Sequence, residues 1–401
     1  MRLAVVSPFL DRQHGTEMCV VEQIERFARD DQWRIELYSQ DVSQMNGVRP
    51  AGSCEPVAGI CWHKVSNIPG PHLVKFLWWF FANHWRRWRD QHKRIIPDLV
   101  YTPGTNCLDA DAIMVQIVFH AFYEQARDEL KLRRVPVRTW PLLIHRKLYY
   151  RLIMFLEKLI YRNPRVRLVA VSNLVAKQLE TFLGRSDAVV IPNTVDVGRF
   201  NPEKRLAQRP ELRRVFHITE DEFVLLLIGN DWKKKGLDST LRALGALRDL
   251  PLRLIVAGKD DVGLYRTAIQ RLGLEDKVLF AEPSPDVLKF YALADLYVGP
   301  SLEDGFNLPI LEAMACGLPV IASIYTGASE NIADGRNGMT LRDPLDDATL
   351  ASLIRQLYQD SGLRQRIAKG AADFVQQNCG WDQNAAKTRE LLESILSERS
   401  R

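Results

Sequence analysis

SLEDGFNLPILEAMACGLPVIAS, residues 301–323, reads as a loop leaving one strand, a helix opening at about Pro309, and the approach to a second strand. Proline suits the first turn of a helix, where its missing N–H would have no partner, so Gly305 to Leu308 form the helix opening. Backbone N–H groups there, with the helix dipole behind them, favour an anionic ligand. Asp304 before the helix and Glu312 inside it are placed to face one ligand with several hydroxyls, because a carboxylate accepts more than one hydroxyl hydrogen bond. Sugars carry such hydroxyls. The competing reading makes Glu303 and Asp304 helix caps, Glu312 a surface residue and the glycines turn residues.

A second stretch tips that balance. Gly229-Asn-Asp-Trp-Lys-Lys-Lys-Gly-Leu237 again follows an apolar run and opens a helix. Lysines 233 to 235 near a helix N-terminus oppose its dipole unless an anion sits between them, and a diphosphate would resolve the conflict. Taken in isolation, a solvated lysine run is the more common reading. A third loop, Ser7 to Glu17 (SPFLDRQHGTE), follows the first strand, with Gly15 able to let backbone approach a ligand or simply to turn the chain. His120 follows the apolar run 113–119, read as a strand, where ligands meet open α/β sheets. A structural histidine is the commoner occupant of such a position.

Outward from these loops, short apolar runs alternate with amphipathic stretches along both halves, the pattern of parallel sheets with crossover helices. In the first half the runs lie at 3–6, 34–38, 98–101, 113–119 and 167–171; in the second they lie at 224–228, 252–257, 277–280, 296–298 and 319–322. Two Rossmann-like units follow, with a boundary around Ile191 to Pro202, where Pro192, Asn193, Gly198 and Pro202 interrupt the periodicity. The length, 401 residues, suits two or three domains. A hydrophobic fraction of 46% and a charged fraction of 26% exclude disordered and fibrous classes. No dinucleotide fingerprint or P-loop occurs, which argues against dehydrogenases and P-loop enzymes. Six scattered cysteines and eight histidines form no metal-ligand spacing, so neither a zinc site nor a disulfide framework is expected. The N-terminus lacks a signal-peptide shape and no apolar run approaches the ~20 residues of a membrane span. A reducing cytoplasm is the expected location.

Residues 304–312, DGFNLPILE, resemble the E-G-F-G-L-P-x-x-E signature of family 4 of the retaining glycosyltransferases, the group sharing the two-Rossmann GT-B architecture. Residues 313–323 are similar to its A-M-A-C-G-x-P-V-I-A continuation. Ser172, the Ile191-Pro-Asn-Thr-Val-Asp196 linker, Lys235-Gly236, the Gly327-Ala-Ser-Glu330 turn and Trp381 extend the resemblance nearly end to end, and it looks most like the branch that glucosylates lipopolysaccharide core. The resemblance implies an α/β GT-B fold of two Rossmann-like domains facing a cleft. Residues 1–195 would hold the acceptor and 196–380 the nucleotide sugar, with 381–401 a helix returning to the first domain. By position, Glu312 would bind ribose hydroxyls, Asp304 the transferred sugar, and Lys235 with Lys234 the diphosphate. Asn230, Glu303, Gly305, Phe306, Asn307 and Leu308 would complete the donor site. Gly15 and Thr16 would close over the diphosphate, and His120 would approach sugar or acceptor. Asp304, His120 and Lys235 are the implied catalytic groups. The implied chemistry is retaining hexosyl transfer from a UDP-sugar or GDP-mannose to a saccharide or lipid-linked acceptor, with no metal and no resident cofactor. Lysine charge then stabilises the departing phosphate.

Four positions depart from the family pattern. Asp304 stands where glutamate is usual, Asn307 and Thr194 where glycines are, and Asn230 where an arginine often helps bind phosphate. Residues 233–235 are placed to compensate for that last change.

The net charge of +5 conceals an asymmetry. Residues 1–200 carry 28 Lys and Arg against 20 Asp and Glu, a surplus of 8; the remainder carries 26 against 29, a deficit of 3. Between Lys131 and Arg167 stand eleven basic residues and one acid, Glu157. On a helical projection of 147–162, Lys147, Arg151, Lys158 and Arg162 form a cationic face beside an apolar face of Leu148, Leu152, Phe155 and Leu159, expected to pack. A peripheral contact of 131–167 with an anionic membrane follows, and no nucleic acid is expected. Trp78, Phe81, Trp85 and Trp88 form another stripe, read here as core packing rather than a membrane anchor. Two other functions stay open: a nucleotide-sugar epimerase or hydrolase on the same fold, and a non-catalytic basic binder of membrane or nucleic acid.

Overall fold

The computed structural model describes residues 1–12, 14–30, 32–52, 59–126 and 140–399. They divide into two compact units, one comprising Met1–Asn193 with Trp381–Arg401, the other Thr194–Gly380.

The first unit contains β1 (Arg2–Val6), β2 (Phe9–Leu10), β3 (Arg34–Ser39), β4 (Asp41–Val42), β5 (Val48–Pro50), β6 (Gly59–Lys64), β7 (Leu99–Pro103), β8 (Ala112–Val115), β9 (Arg167–Ala170) and β10 (Val189–Val190). Its helices are α1 (Gly15–Phe27), α2 (His72–His92), α3 (Phe119–Ala126), α4 (Trp140–Tyr161) and α5 (Asn173–Leu183). Among the described residues the main sheet runs β10-β9-β8-β7-β1-β3-β6-β5, with every pair parallel; β2 and β4 form a separate ribbon. β1, β7 and β8 are buried almost throughout, as strands covered by helices on both faces must be. The strand order reverses beside β1, so the loop carrying Gly15 leaves the sheet at its switch point.

The second unit contains α6 (Pro202–Val215), β11 (Phe223–Ile228), α7 (Leu237–Gly245), β12 (Leu252–Ala257), α8 (Gly263–Leu272), β13 (Val278–Ala281), α9 (Leu288–Leu293), β14 (Leu296–Gly299), α10 (Leu308–Ala315), β15 (Val320–Ser323), β16 (Met339–Leu341), α11 (Asp347–Gln359) and α12 (Ser361–Asn378). Its sheet runs β13-β12-β11-β14-β15-β16, again all parallel. This is the doubly wound order 3-2-1-4-5-6, whose ligand crevice opens at the carboxyl ends of β11 and β14. Both loops singled out from sequence leave those two strand ends.

The last helix, α13 (Trp381–Arg399), belongs to the first unit and packs on α1. A buried polar chain secures it. Tyr101 donates to Gln23 (2.8 Å), Gln23 to Asn384 (2.8 Å), and Asn384 to the carbonyl of Pro192 (2.7 Å).

Four expectations need correction. The run 113–119 is not one strand: β8 stops at Val115 and Phe119 opens α3, because the Glu157 carboxylate accepts from the Phe119 and His120 N–H groups (2.7 and 3.1 Å) and starts a helix there. On α4 the packing face is Tyr150, Ile153, Leu156, Glu157 and Ile160, while Leu148, Phe155 and Leu159 are exposed. The stripe on α2 also points outward. Its buried face is Trp79, Ala82, Asn83, Arg87 and Asp90, held by polar bonds such as Asn83 to the Asn106 carbonyl (3.1 Å) and Arg87 to Asp109 (2.7 Å). Cys61 is disulfide-bonded, which does not suit a wholly reduced chain; Cys19, Cys107, Cys316 and Cys379 are free. Of the basic stretch, residues 131–139 lie outside the described residues. Among the described residues no helix is long and apolar enough to cross a membrane.

Candidate active site

β11 ends at Ile228, and the chain turns tightly through Asp231–Lys235 before α7. Two glycines make that turn possible. Gly229, at φ +147°, leaves room for the aliphatic stem of Lys235, which a Cβ there would strike. Gly236, at φ +79°, lies so close to the Pro300 carbonyl that any Cβ would collide with it. The lysine turn is thereby pressed against the end of β14, and Leu302 N–H bonds the Lys234 carbonyl at 2.8 Å.

The loop after β14 is braced from its other side. Asp304 N–H donates to the Tyr325 carbonyl (3.0 Å), Gly327 N–H to the Asp304 carbonyl (3.1 Å), and Ala328 N–H to the Phe306 carbonyl (2.7 Å). The Gly327–Asn331 turn therefore serves as a buttress for residues 304–306. One Asp304 oxygen accepts from Phe306 N–H (3.1 Å), fixing the carboxylate on its own loop.

Three side chains converge here. Lys235 Nζ donates to Asp304 Oδ2 at 2.6 Å and to Asn307 Oδ1 at 3.0 Å, and Asn307 Nδ2 donates to Ser301 Oγ at 3.2 Å. Asn307 has φ +68° and ψ +69°, the left-handed conformation that glycine adopts freely and asparagine tolerates best among the rest. That explains how a glycine of the resembled motif can become asparagine at small backbone cost. Lys235 is thus already partly neutralised by Asp304, and two of its three N–H donors are engaged, leaving one for an incoming anion.

Glu312 lies on α10, half-buried, and accepts from the Tyr291 hydroxyl at 2.5 Å. Burial pushes its carboxyl up from the usual range, against the lowering influence of the Tyr291 bond and of Arg199. Tyr291 is itself buried edge-on to Phe200. Nothing in its sequence neighbourhood singled it out, since a tyrosine on a short apolar helix carries no motif.

The other expected residues fall as follows. Phe306 and Leu308 bury their side chains within the unit, so only their backbone is offered to a ligand. Glu303 and Gly305 are half-buried on the same loop. Asn230 uses its carboxamide oxygen to accept from Lys259 N–H (2.8 Å), bracing two loops together. Lys234 stands 3.8 Å from Asp231. In the first unit, Gly15 is the exposed first residue of α1 and Thr16, half-buried, its second. His120 sits near the start of α3, with Nδ1 2.5 Å from Glu157 Oε2. The one acid of the basic stretch is therefore a buried partner that orients the histidine.

Comparisons with known proteins match both units. Residues 14–199 match the description Glycosyltransferase Family 4, and residues 208–374 match Glycosyl transferases group 1. A D-inositol 3-phosphate glycosyltransferase of Paenarthrobacter aurescens is 33% identical over 243 residues, 58% of this chain and 58% of that protein. The lipopolysaccharide glucosyltransferase WaaG of Escherichia coli is 29% identical over 186 residues, 44% of this chain and 50% of that one. The chain spans about half the length of the curated relatives it matches. In fold, it resembles the crystal structure of WaaG with a TM-score of 0.74 at 20% identity, covering 97% of this chain and 99% of that one. It resembles Anabaena Alr3699/HepE in complex with UDP-glucose with a TM-score of 0.72 at 18% identity, covering 98% and 100%. With a family description matched on each unit and the doubly wound sheets they require, the chain belongs to the group 1 glycosyltransferases and has the GT-B fold.

Proposed function

We propose that this protein is a retaining hexosyltransferase that moves a sugar from a nucleotide-diphosphate donor to a saccharide or lipid-linked acceptor in cell-envelope glycan synthesis. The observation that carries the reading is the meeting of Lys235, Asp304 and Asn307 on the two loops at the switch point of the second unit, with Glu312 on the helix that follows. A UDP-sugar is the favoured donor, GDP-mannose the other candidate. Relatives support that direction: WaaG is named for lipopolysaccharide glucosylation, and HepE is described in complex with UDP-glucose.

In this reading the Glu312 carboxylate accepts the ribose hydroxyls. Asp304 holds hydroxyls of the transferred sugar, at a reach one methylene shorter than glutamate would have. The remaining Lys235 donor, with Lys234, binds the diphosphate and stabilises the charge that grows on it as the glycosidic bond breaks. Gly15 and Thr16 close over the phosphates, and His120, oriented by Glu157, meets the sugar or acceptor. Lysine charge acts at the leaving group, and no resident cofactor is called for. The location is the cytoplasm, with peripheral contact between 131–167 and the inner face of the membrane.

A panel of nucleoside diphosphates and their sugars tests the donor by thermal stabilisation, because a ligand at 100 times its Kd adds about 2.7 kcal/mol. Glu312→Ala should abolish nucleotide-sugar turnover. Full activity in that variant, or no stabilisation by any nucleotide, rejects the reading.

A further inference from the structure

The segment entering α6 carries a cation with no role in the site as described so far. Asp196 turns the chain there: its Oδ1 accepts from the N–H groups of Gly198 (2.9 Å) and Arg199 (3.1 Å), and Asn201 then caps α6 by accepting from Lys204 N–H (2.9 Å). Between those two turns Phe200 is buried edge-on against Tyr291 of α9, centroids 5.8 Å apart, which fixes Arg199 beside that helix. The half-buried guanidinium reaches the loop that follows β13, where Nη2 donates to the Pro285 carbonyl at 2.7 Å, and it lies 5.1 Å from the centre of the Phe200 ring. A guanidinium has five N–H donors. Among the described residues that one carbonyl is its only hydrogen-bond partner, and no carboxylate stands within ion-pair distance.

Glu312 has the complementary need. Its Oε2 accepts from the Tyr291 hydroxyl at 2.5 Å, whereas Oε1 has no partner among the described residues. A single neutral hydrogen bond offsets only part of the cost of taking a carboxylate out of water. Burial accordingly pushes the carboxyl up, and the Tyr291 bond and the Arg199 charge draw it back. The other titratable neighbours bring no charge to help, because burial pushes the Tyr291 and Tyr297 hydroxyls and the Cys316 thiol well above their ordinary values. Arg199 also lies on Phe200, Phe200 on Tyr291 and Tyr291 against Glu312, so cation and carboxylate flank one aromatic pair.

We propose that Arg199 is a positioning residue for the donor: anchored on Pro285 and Phe200, its guanidinium is the counter-charge of the Glu312 carboxylate and holds that carboxylate ready for the ribose hydroxyls. This role rests on the transferase reading, in which Glu312 takes those hydroxyls, and adds the residue that sets the carboxylate. A bond to one carbonyl needs no charge, and a guanidinium half-buried without an anion is a cost with nothing to offset it. An ionised carboxylate accepts two vicinal hydroxyls through its oxygens, while a protonated one carries a donor where an acceptor is needed. Arg199 therefore also governs how strongly a ribose is preferred to a 2′-deoxyribose.

The test uses the full chain with UDP and 2′-deoxy-UDP as probes. In the ligand-free protein carrying carboxyl-13C glutamate, the Glu312 resonance, identified by its loss in Glu312→Gln, should titrate at higher pH in Arg199→Gln and close to the parent in Arg199→Lys, which keeps the charge. Calorimetric binding of UDP to Arg199→Gln should be about tenfold weaker than to the parent at pH 6 and nearly equal at pH 8, where the carboxyl ionises without the cation. The preference for UDP over 2′-deoxy-UDP should shrink at pH 6 in the same variant and return in Arg199→Lys. An arginine that only braced the fold would lower Tm on substitution and leave the titration and the preference where they are. An unchanged Glu312 titration in Arg199→Gln overturns the assignment, as does a ribose preference that does not move with it. A parent that binds no nucleoside diphosphate overturns the transferase reading and this role together. A parent that binds UDP and loses it in Glu312→Ala, beside an Arg199→Gln variant that binds like the parent at every pH, overturns this role alone.

Discussion

Replacing Asn307 by glycine asks whether this asparagine is tolerated by its backbone or employed through its side chain. Glycine adopts φ +68° without strain, so the loop survives and only the carboxamide is lost. Two hydrogen bonds go with it, one to Ser301 Oγ and one from the Lys235 ammonium. The neutral bond and the added freedom of glycine in the unfolded chain together cost about 1–2 kcal/mol of stability. For a unit of this size that lowers Tm by a few degrees. The bond to the ammonium is worth more, about 1.5–3 kcal/mol, because one partner is charged. If that energy orients the cation toward the leaving diphosphate, kcat/KM falls by about 10- to 100-fold, at 1.36 kcal/mol per decade. The fall should lie mainly in kcat, since the charge is needed most when the glycosidic bond breaks. Asp304 and Asn307 grip the same atom, so Asp304→Glu made with Asn307→Gly should depart from additivity. Initial rates over a range of donor concentration, with Tm measured on the same preparations, decide the matter. An unchanged kcat/KM in Asn307→Gly, or additive effects in the double variant, would refute the reasoning and leave asparagine a conformational substitute for glycine.

Gly236→Ala should destabilise the second unit by about 2–4 kcal/mol, combining the left-handed penalty with overpacking against the Pro300 carbonyl; a Tm change under 2 °C would contradict that contact. Glu312 carries a pH signature. Its carboxyl is raised by burial, so the native state keeps a proton the unfolded chain has released, and this contribution to stability declines as pH rises between the ordinary and the raised value. Ribose hydroxyls favour the ionised form, so donor affinity should improve across that same interval. Glu312→Gln should remove both trends, and titrations of Tm and donor affinity from pH 4 to 8 check the signs. Glu157→Gln should keep one of the two backbone acceptors at the start of α3 while loosening the hold on the His120 ring, lowering kcat and changing the imidazole 15N shifts; unchanged shifts would mean the 2.5 Å contact does not set the tautomer.

Much of the second unit is legible in its residues because a strand buried on both faces needs an apolar run, and β11, β14 and β15 have one throughout, as does β12 from Leu254 onward. Pro309 and the glycines at 229, 236 and 305 mark the loops, and the eight-residue step from Asp304 to Glu312 marks the helix between the two carboxylates. Short or polar strands escape such a reading. β6 carries His63, buried between Glu36 (2.7 Å) and Asp90 (2.8 Å), and β16 is only three residues long. Amphipathic stripes on α2 and α4 announce a face without saying what covers it, because a helix can bury either an apolar row or, as α2 does, a polar one with its own partners.

The sequence by itself determined two parallel α/β units and the loops at their strand ends, and it singled out the residues proposed to hold a sugar nucleotide, since strand burial, turn chemistry and helix openings are local requirements. Tertiary structure decided what those residues do to one another. Asp304 and Asn307, 69 and 72 positions from Lys235, bind its ammonium; Tyr291 stands against Glu312; Glu157 caps α3 and orients His120; and Trp85 and Trp88 of α2 face outward while Trp79 is buried. Each of those outcomes depends on which strand lies beside which, and sheet order is a property of the packed core that no single segment encodes.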